Sequence, residues 1–384
     1  MQNEPPHLSL IDHFQALPDP RVDRTKDHEL IDLLVIAICT LLCAGESFND
    51  MEDFGKAKAD WFKTFLTLRH GVPSHDTFNR LFAALDPQAF GDCFVRWTQS
   101  LRTAVAQEIV ALDGKALRRA LSGDQSIKCV VSAWAESNSL VLGQLKVSDK
   151  SNEITALPAL LRALELAGCI VTVDAMGTQK KIAQEIIEAD ADYVLALKGN
   201  HETVHEEVKS FLDATLTEKQ SKPLRPSVAA AQLAVQETVE KDHGRIETRR
   251  YYQSDQLDWF ADRAQWEGLK SVGMVEAIRE IGTERTVERR YYLSSLPLGV
   301  ATFARAVRGH WAVENKLHWV LDVQMREDQS RARAGYAAEN LATLRRLALN
   351  LLQREKTKKR GIRGKQLNAS WDHAYLLRLL GVPI

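Results

Sequence analysis

Two aspartates stand in sequence contexts that could place their carboxylates at one chemical site. Asp113 follows the apolar run IVAL and precedes Gly114, and Asp174 follows CIVTV and precedes Ala175. Near-continuous apolar runs are typical of buried central strands, so each aspartate is predicted at the carboxyl end of a strand, where open α/β sheets build their sites. A loop or capping role is the alternative for either residue taken alone.

A third acid, Glu314, follows from helical geometry in the segment RGHWAVENKLHWVLDV. At about 100° per residue, Val307, Leu317 and Leu321 fall within about 60° of Glu314, which predicts that this carboxylate lies in the buried stripe of a helix. Buried glutamates need a partner because desolvating a carboxylate costs several kcal/mol. A shared metal is the favoured partner, and a salt bridge to a nearby arginine is the alternative.

Three converging carboxylates without cysteine suit a hard divalent cation such as Mg²⁺ or Mn²⁺. Such a cation also relieves the repulsion that otherwise raises the pKa of clustered carboxylates. Two ions about 3.5 to 4 Å apart can activate an attacking oxygen and stabilise a leaving oxygen in phosphodiester displacement. We therefore expect phosphoryl transfer at a nucleic-acid backbone.

Two histidines flank the glutamate at four residues on either side, His310 and His318. This spacing puts all three on neighbouring turns of a helix. Direct zinc or iron binding is one interpretation, but the segment has no HExxH or paired ExxH pattern. We expect His310 to position the scissile phosphate and His318 to pack in the core.

The elements that must position these residues follow an α/β pattern. Helices are predicted at 157–166 and 179–188. Three consecutive strands favour an antiparallel meander, and later strands joined by helices favour parallel neighbours, so a mixed sheet covered by helices is predicted. The five strands are predicted in EIVALDG, IKCVVSAWAE, SLVLGQLKV, CIVTVDA and DYVLALKG.

The remaining segments define two predicted domains, 1–105 and 106–384. Residues 1–105 read as helical, and HDTFNRLF within them belongs either to a small bundle or to a DNA-contacting helix. After a helix near 201–212, alternating apolar and polar residues predict a β-rich insertion at about 213–298. Helices return at 301–323 and 336–352.

Composition restricts the class of protein. The chain has 384 residues, of which 45% are hydrophobic and 26% charged, so disordered and fibrous classes are excluded. Its 50 Lys and Arg nearly balance 51 Asp and Glu, so the positive charge needed to bind nucleic acid must be concentrated in one part of the protein.

The expected location follows from the cysteines and the N-terminus. The five cysteines lie mostly in apolar runs and the N-terminus has no secretory pattern, which favours a reducing cytoplasm. The most apolar stretch, 30–44, is too short to span a bilayer, so no membrane association is expected.

Several motifs together resemble the DDE transposases of bacterial insertion sequences, in the branch that includes the H-repeat-associated proteins. They are DGKALRRA, VDAMGTQKKIA, ALKGN, DHGRIETRR and RGHWAVENKLHWVLDVQMREDQSR. The N-terminal segments DPRVDRTKDHEL and HGVPSHDTFNRLF are similar to that branch's associated domain.

This resemblance implies a ribonuclease H-like fold with a β insertion before the helix that supplies the glutamate. It also implies Asp113, Asp174 and Glu314 as a metal-binding triad that cuts and joins element-end DNA. The sequence departs from related transposases around the glutamate. Where those proteins have Tyr, Arg and Lys, this chain has Val307, His310 and Leu321.

Basic residues near the acids are the expected contacts to double-stranded DNA of the element ends and target. A further basic segment at 345–365 has nine Lys and Arg against one Glu, a local balance of +8, and predicts salt-dependent binding, with an unliganded solvated tail as the alternative. By analogy, pairing of two ends predicts a homodimer on DNA. The individual contacts expected are Lys115, Arg118, Arg245, Arg308, His310 and Lys316.

Three other functions remain open from the sequence. One is a structure-specific DNA nuclease of the same fold. Another is a non-catalytic DNA-binding remnant of a mobile element. The third is a phosphohydrolase that uses a strand-end aspartate on small phosphate esters. A DNA transposase is the reading that accounts for all three acids and the motifs together.

Overall fold

The computed structural model describes residues 10–117, 129–147, 153–221, 233–242 and 244–381. The chain divides into two compact units. Unit 1 comprises Met1–Ala104, Gly114–Asn152 and Val313–Ile384, and unit 2 comprises Val105–Asp113 and Glu153–Ala312.

The α-helices are numbered in chain order. They are α1 (Leu10–Phe14), α2 (Leu30–Leu42), α3 (Phe48–Ala57), α4 (Ala59–Phe62), α5 (His75–Ala84), α6 (Pro87–Leu101), α7 (Glu153–Ala163), α8 (Lys180–Glu188), α9 (Glu202–Ser221), α10 (Val300–Val313), α11 (Ala337–Arg354), α12 (Ile362–Trp371) and α13 (His373–Leu380).

The strands are numbered in the same way. They are β1 (Ile109–Ala116), β2 (Cys129–Ala135), β3 (Leu140–Val147), β4 (Ile170–Val173), β5 (Asp192–Leu197), β6 (Leu233–Asp242), β7 (Arg245–Ser254), β8 (Ser271–Ile281) and β9 (Glu284–Ser294).

The N-terminal part of unit 1 is helical because its segments carry clear start signals and apolar faces. Ser74 caps α5 by accepting a hydrogen bond from the backbone of Thr77, and Asp86 caps α6 just before Pro87. The apolar helix α2 is buried almost throughout, and its Asp32 accepts a hydrogen bond from the Leu68 amide at 2.8 Å. No described helix has both the length and the apolarity needed to cross a membrane.

The rest of unit 1 centres on α11. Strands β2 and β3 form an antiparallel hairpin. The side chain of Asn350 on α11 accepts from the amide of Val141 at 2.8 Å and donates to its carbonyl at 2.9 Å. This pair of hydrogen bonds satisfies a backbone position that β3 would otherwise leave unpaired.

The sheet of unit 2 has the order β1-β4-β5-β9-β8-β7-β6. Strands β1, β4 and β5 are parallel, whereas β9, β8, β7 and β6 continue the sheet by antiparallel pairing. Parallel neighbours require crossover helices, which α7 and α8 supply. The predicted mixed α/β sheet with flanking helices and a helical N-terminal region is therefore confirmed, as are the strands in the five apolar runs.

Helix α10 lies on one face of this sheet. Phe303 and Val307 pack into a buried cluster with Ile170, Val194 and Tyr292. Gly309 allows close approach, because a Cβ there would come within 2.8 Å of side-chain atoms of Ile109 on β1. The close packing fixes α10 against β1 within unit 2.

The predicted helix at 301–323 is not a regular α-helix. Helix α10 ends at Val313 and is followed by two π-helical segments, Glu314–His318 and Val320–Gln324. A π-turn has i→i+5 hydrogen bonds and often occurs at functional sites. Its wider turn changes which side chains share a face.

Candidate active site

Asp113 and Asp174 occupy equivalent positions on neighbouring strands. Leu112 of β1 is paired with Val173 of parallel β4, so each aspartate directly follows a paired residue. Both side chains are half-buried. Asp113 lies within β1 just after its last residue paired with β4, and Asp174 directly follows β4, so the two aspartates share the edge at which this parallel pairing ends.

The loop after Asp174 is held in place by hydrogen bonds. Asp174 Oδ1 accepts from the amide of Gly177 at 3.1 Å. The hydroxyl of Thr178 donates to the carbonyl of Ala196 at 2.7 Å, and Asn200 Nδ2 donates to the carbonyl of Ala175 at 2.6 Å. These bonds tie the strand-end loop to the end of β5 and fix the backbone around the aspartate.

A cavity of about 190 Å³ opens beside Asp174 in unit 2. His310 of α10 lines it, and His310 Nδ1 lies 2.9 Å from the hydroxyl oxygen of Thr172. The basic side chains of Lys198 and Arg290 line the same cavity. A carboxylate, an imidazole and two cations around one space can bind a phosphate together with its counterions.

Arg290 and Trp311 form a cation–π pair at the mouth of this cavity. The guanidinium carbon lies 3.8 Å from the ring centroid, and the tryptophan is 47% exposed. Sequence reasoning did not single out Lys198, Arg290 or Trp311 as site residues. Lys198 lies in the ALKGN motif, which was the one available signal, whereas Arg290 reaches the cavity only because β9 pairs with β5.

Glu314 differs from the prediction. Its side chain is 73% exposed, so the expectation that it lies in the buried stripe of a helix is wrong. The helical wheel assumed a regular α-helix, but Glu314 begins a π-helical segment. Glu314 Oε2 lies 3.1 Å from Nδ1 of His318, which is buried, as expected for a residue packed in the core. Burial lowers the pKa of His318, which favours the neutral ring at pH 7.

Lys115, an expected DNA contact, is part of a buried ion cluster in unit 1. Its side chain is 6% exposed, and its Nζ lies 2.7 Å from Asp322, 3.0 Å from Asp328 and 3.4 Å from Glu327. Three carboxylates already surround the ammonium group. The expectation of a phosphate contact at Lys115 is therefore corrected, because no accessible surface remains for DNA.

Three other expected DNA contacts are at least partly exposed and take part in ion pairs. Arg245 lies 3.4 Å from Glu247. Arg308 lies 2.6 Å from Glu240 on β6, and Lys316 lies 2.7 Å from Glu136. Exposed pairs of this kind are weak enough for a phosphate to replace the carboxylate. Arg118 lies outside the described residues.

The basic segment 345–365 is not one continuous surface. Arg345, Arg346 and Lys365 are buried, and Lys365 donates to the carbonyl of Leu352 at 2.8 Å. The local charge counted along the sequence therefore overstates what DNA could contact. The exposed members are Arg354, Lys356, Lys358, Lys359, Arg360 and Arg363.

Comparisons with known proteins show which family the chain belongs to. The family model described as "Transposase DDE domain" matches residues 106–351, and one described as "DDE_Tnp_1-associated" matches residues 11–98. The H repeat-associated putative transposase YhhI and the putative protein YbfL, both of Escherichia coli K12, are each 38% identical over 97% of this chain and 97% of their own length. The putative transposase YncI of Escherichia coli O157:H7 is 35% identical over 97% of this chain and 94% of its own.

The two family models between them span most of the chain, and these relatives each match 97% of it. The strand-end aspartates and the glutamate after α10 lie within the region matched by the transposase domain. The chain therefore belongs to the DDE transposases, and its function is that of a DNA transposase.

Proposed function

We propose that this transposase cuts DNA at the ends of its insertion sequence and joins those ends to target DNA, with Asp113, Asp174 and Glu314 as the divalent metal ligands. The pairing of Leu112 with Val173 is the observation that carries the proposal. It sets two carboxylates side by side at the functional edge of a parallel sheet.

The residues present fit Mg²⁺ or Mn²⁺. All three proposed ligands offer carboxylate oxygens, which hard cations prefer, and the exposure of Glu314 leaves its carboxylate accessible. His318 already engages one oxygen of Glu314, which restricts the rotamers of that side chain. When bound, the metal would activate the attacking oxygen and stabilise the leaving oxygen.

The chain's own side chains would orient the DNA. Thr172 holds the His310 ring, which lines the cavity beside Asp174 and would donate a hydrogen bond to a phosphate oxygen. Lys198 and Arg290 would neutralise phosphate charge on the same cavity wall. Arg245, Arg308 and Lys316 would contact the backbone by exchanging their carboxylate partners for phosphates. His310 would thus take the place of the arginine that related transposases have at this position.

Three broader features belong to the same proposal. Double-stranded DNA is the partner, bound by a homodimer that holds two ends. The domains are 1–105 and 106–384 with a β-rich insertion at about 213–298, which the two separate family matches support. The protein acts in the cytoplasm, since Cys39 and Cys93 are buried cysteines that form no disulfide, as a reducing compartment favours.

The test is strand cleavage of a duplex that carries the sequence flanking the gene. Asp113→Asn keeps the shape of the side chain and removes its charge, so cleavage in Mg²⁺ should fall by at least about a hundredfold while folding and DNA affinity stay near wild type. Asp258→Asn is the matched control, because Asp258 is a fully exposed aspartate of unit 2. Wild-type cleavage by Asp113→Asn would overturn the assignment.

A second assay separates transposition from cleavage alone. Pre-cut ends with free 3′-hydroxyls are supplied with target DNA, and the joined product is measured. A transposase produces joined strands, whereas a nuclease of the same fold leaves the ends unjoined. A wild-type protein that binds the duplex but neither cuts nor joins it would be a non-catalytic remnant.

A further inference from the structure

Unit 1 contains a cavity of about 550 Å³ that the proposed chemistry does not use. It is lined by the first residues of α3, by one face of α5 and by the segment 326–334 that precedes α11. Arg326, Arg331 and Arg333 are exposed and line it, and Glu46 is its carboxylate. Three guanidinium groups against one carboxylate make this a net positive site.

The arginine-bearing segment is fixed against α5. The amide of Tyr336 donates to the carbonyl of Ala83 at 3.0 Å. Gly335 has a φ of +48°, and a Cβ there would overlap the carbonyl oxygen of Ala83, so only glycine allows this approach. Asn340 Nδ2 donates to the carbonyls of Phe82 and Leu85, each at 2.9 Å. The backbone directly after the three cavity arginines is therefore hydrogen-bonded to α5 and to the residue that follows it.

A buried guanidinium adds positive charge behind the cavity. Arg345 is 1% exposed and lies one turn along α11 from Leu341, a residue of the cavity wall. Among the described residues, its Nε and Nη2 have no hydrogen-bond partner. Burial lowers the pKa of Arg345, while the charges of Glu327 and of Glu46, a residue of the cavity wall, oppose that shift. Buried donors without an acceptor are costly, and a bound anion near this guanidinium would offset part of that cost.

We propose that this cavity binds the phosphate backbone of DNA, with Arg326, Arg331 and Arg333 as the phosphate contacts. The inference rests on the proposed function in taking DNA as the substrate. Planar guanidinium groups bind phosphates bidentately, and several of them at one opening suit a polyanion rather than a single small anion.

The position of α5 supports the same occupant. His75 and Asn79 are four residues apart on α5, so they share a face, and both line the cavity. They belong to the HDTFNRLF segment, for which a DNA-contacting helix is one of the two sequence-based interpretations. The amino ends of α3 and α5 also add partial positive charge to the cavity wall.

The test is DNA binding in EDTA, measured by fluorescence anisotropy over a range of salt concentrations, with the duplex that flanks the gene and an unrelated duplex. Arg331→Ala/Arg333→Ala should weaken binding to both duplexes by at least about tenfold and reduce the slope of log affinity against log salt by about 2. Lys63→Ala/Arg69→Ala removes two exposed positive charges of unit 1 away from the cavity and should bind like wild type.

A variant that is expected to raise DNA affinity distinguishes the loss of phosphate contacts from misfolding. Glu46 lies 3.1 Å from Arg326. Glu46→Gln removes the competing carboxylate and should raise affinity about two- to fivefold, which is the usual worth of an exposed ion pair. Unchanged affinity in the double arginine variant, an equal loss in the control pair, or no gain from Glu46→Gln would each overturn the proposal. Because EDTA prevents cleavage, this result is independent of the Asp113→Asn experiment.

Discussion

Arg346 Nη1 donates a hydrogen bond to Glu327 Oε1 at 2.7 Å, and the two side chains are 0% and 1% exposed. Arg346 Nε also donates to the hydroxyl of Ser132 on β2 at 3.1 Å. Glu327 Oε2 lies 3.4 Å from Lys115 on β1. Within unit 1, this cluster joins α11 to two strands and to the segment after the second π-turn.

Glu327→Gln should reduce the free energy of unfolding by on the order of 3 kcal/mol, because it leaves Arg346 without its buried counter-charge and removes one of the three carboxylates around Lys115. Burial alone raises the pKa of Glu327, but the charges of Arg346 and Lys115 lower it by more, so the native pKa lies below its ordinary value of 4.5. The stabilisation is present above pH 4.5 and is lost as the pH falls through the lower native pKa.

Urea unfolding of the wild type and Glu327→Gln at a series of pH values checks this prediction. The difference between the two should be largest near neutral pH and shrink below pH 4.5. Glu206→Gln is the control, since Glu206 forms an exposed pair with Lys209 at 3.2 Å and should change stability little. A difference that stays constant down to low pH would contradict the assignment.

Lys115 and Lys316 should behave in opposite ways when each is changed to Met. Lys115→Met removes the centre of a buried ion cluster, so it should lower the free energy of unfolding by about 3 kcal/mol and leave the salt slope of DNA binding unchanged. Lys316 is exposed and pairs with Glu136. Lys316→Met should leave stability nearly unchanged and reduce the salt slope by about 1. Reversal of this pattern would restore Lys115 as a DNA contact.

His310→Ala should slow strand cleavage by about a hundredfold, because the ring would no longer orient the scissile phosphate. Thr172→Val removes the hydroxyl that holds the ring and should slow cleavage by about fivefold, the worth of one hydrogen bond of about 1 kcal/mol. DNA affinity in EDTA and thermal unfolding serve as controls, together with His70→Ala, which changes an exposed histidine of unit 1. Wild-type cleavage by His310→Ala would exclude the role.

Asn340→Ala should destabilise the protein by about 1 to 3 kcal/mol, because it leaves the carbonyls of Phe82 and Leu85 without their donor in a buried position. Equilibrium unfolding in urea measures the change. Asn368→Ala is the comparison, since its side chain donates only to Gly364 one turn back on its own helix and should cost less. Equal losses for the two variants would show that the link between α11 and α5 adds nothing.

The positions of Asp113 and Asp174 could be predicted because the signal is local. Each aspartate ends a run of apolar residues, and burial on both faces of a strand is what such a run requires. The start of α5 at His75 is also encoded locally, since the side chain of Ser74 caps the helix by accepting a hydrogen bond from an amide in the first turn. The family motifs supplied the glutamate and the transposase function.

The exposure of Glu314 and the burial of Lys115, Arg345 and Arg346 were decided by tertiary structure. A helical wheel extrapolates one constant rotation per residue, and a π-turn breaks that rule without an obvious sequence mark. A basic residue places positive charge at the surface only if no carboxylate from a distant part of the sequence forms a buried ion pair with it. Glu327, Asp322 and Asp328 are more than two hundred positions from Lys115, as the 213-residue separation from Asp328 shows. The sequence by itself thus determined the family and the acids proposed for the chemistry, while long-range pairing of charges determined which basic side chains remain exposed.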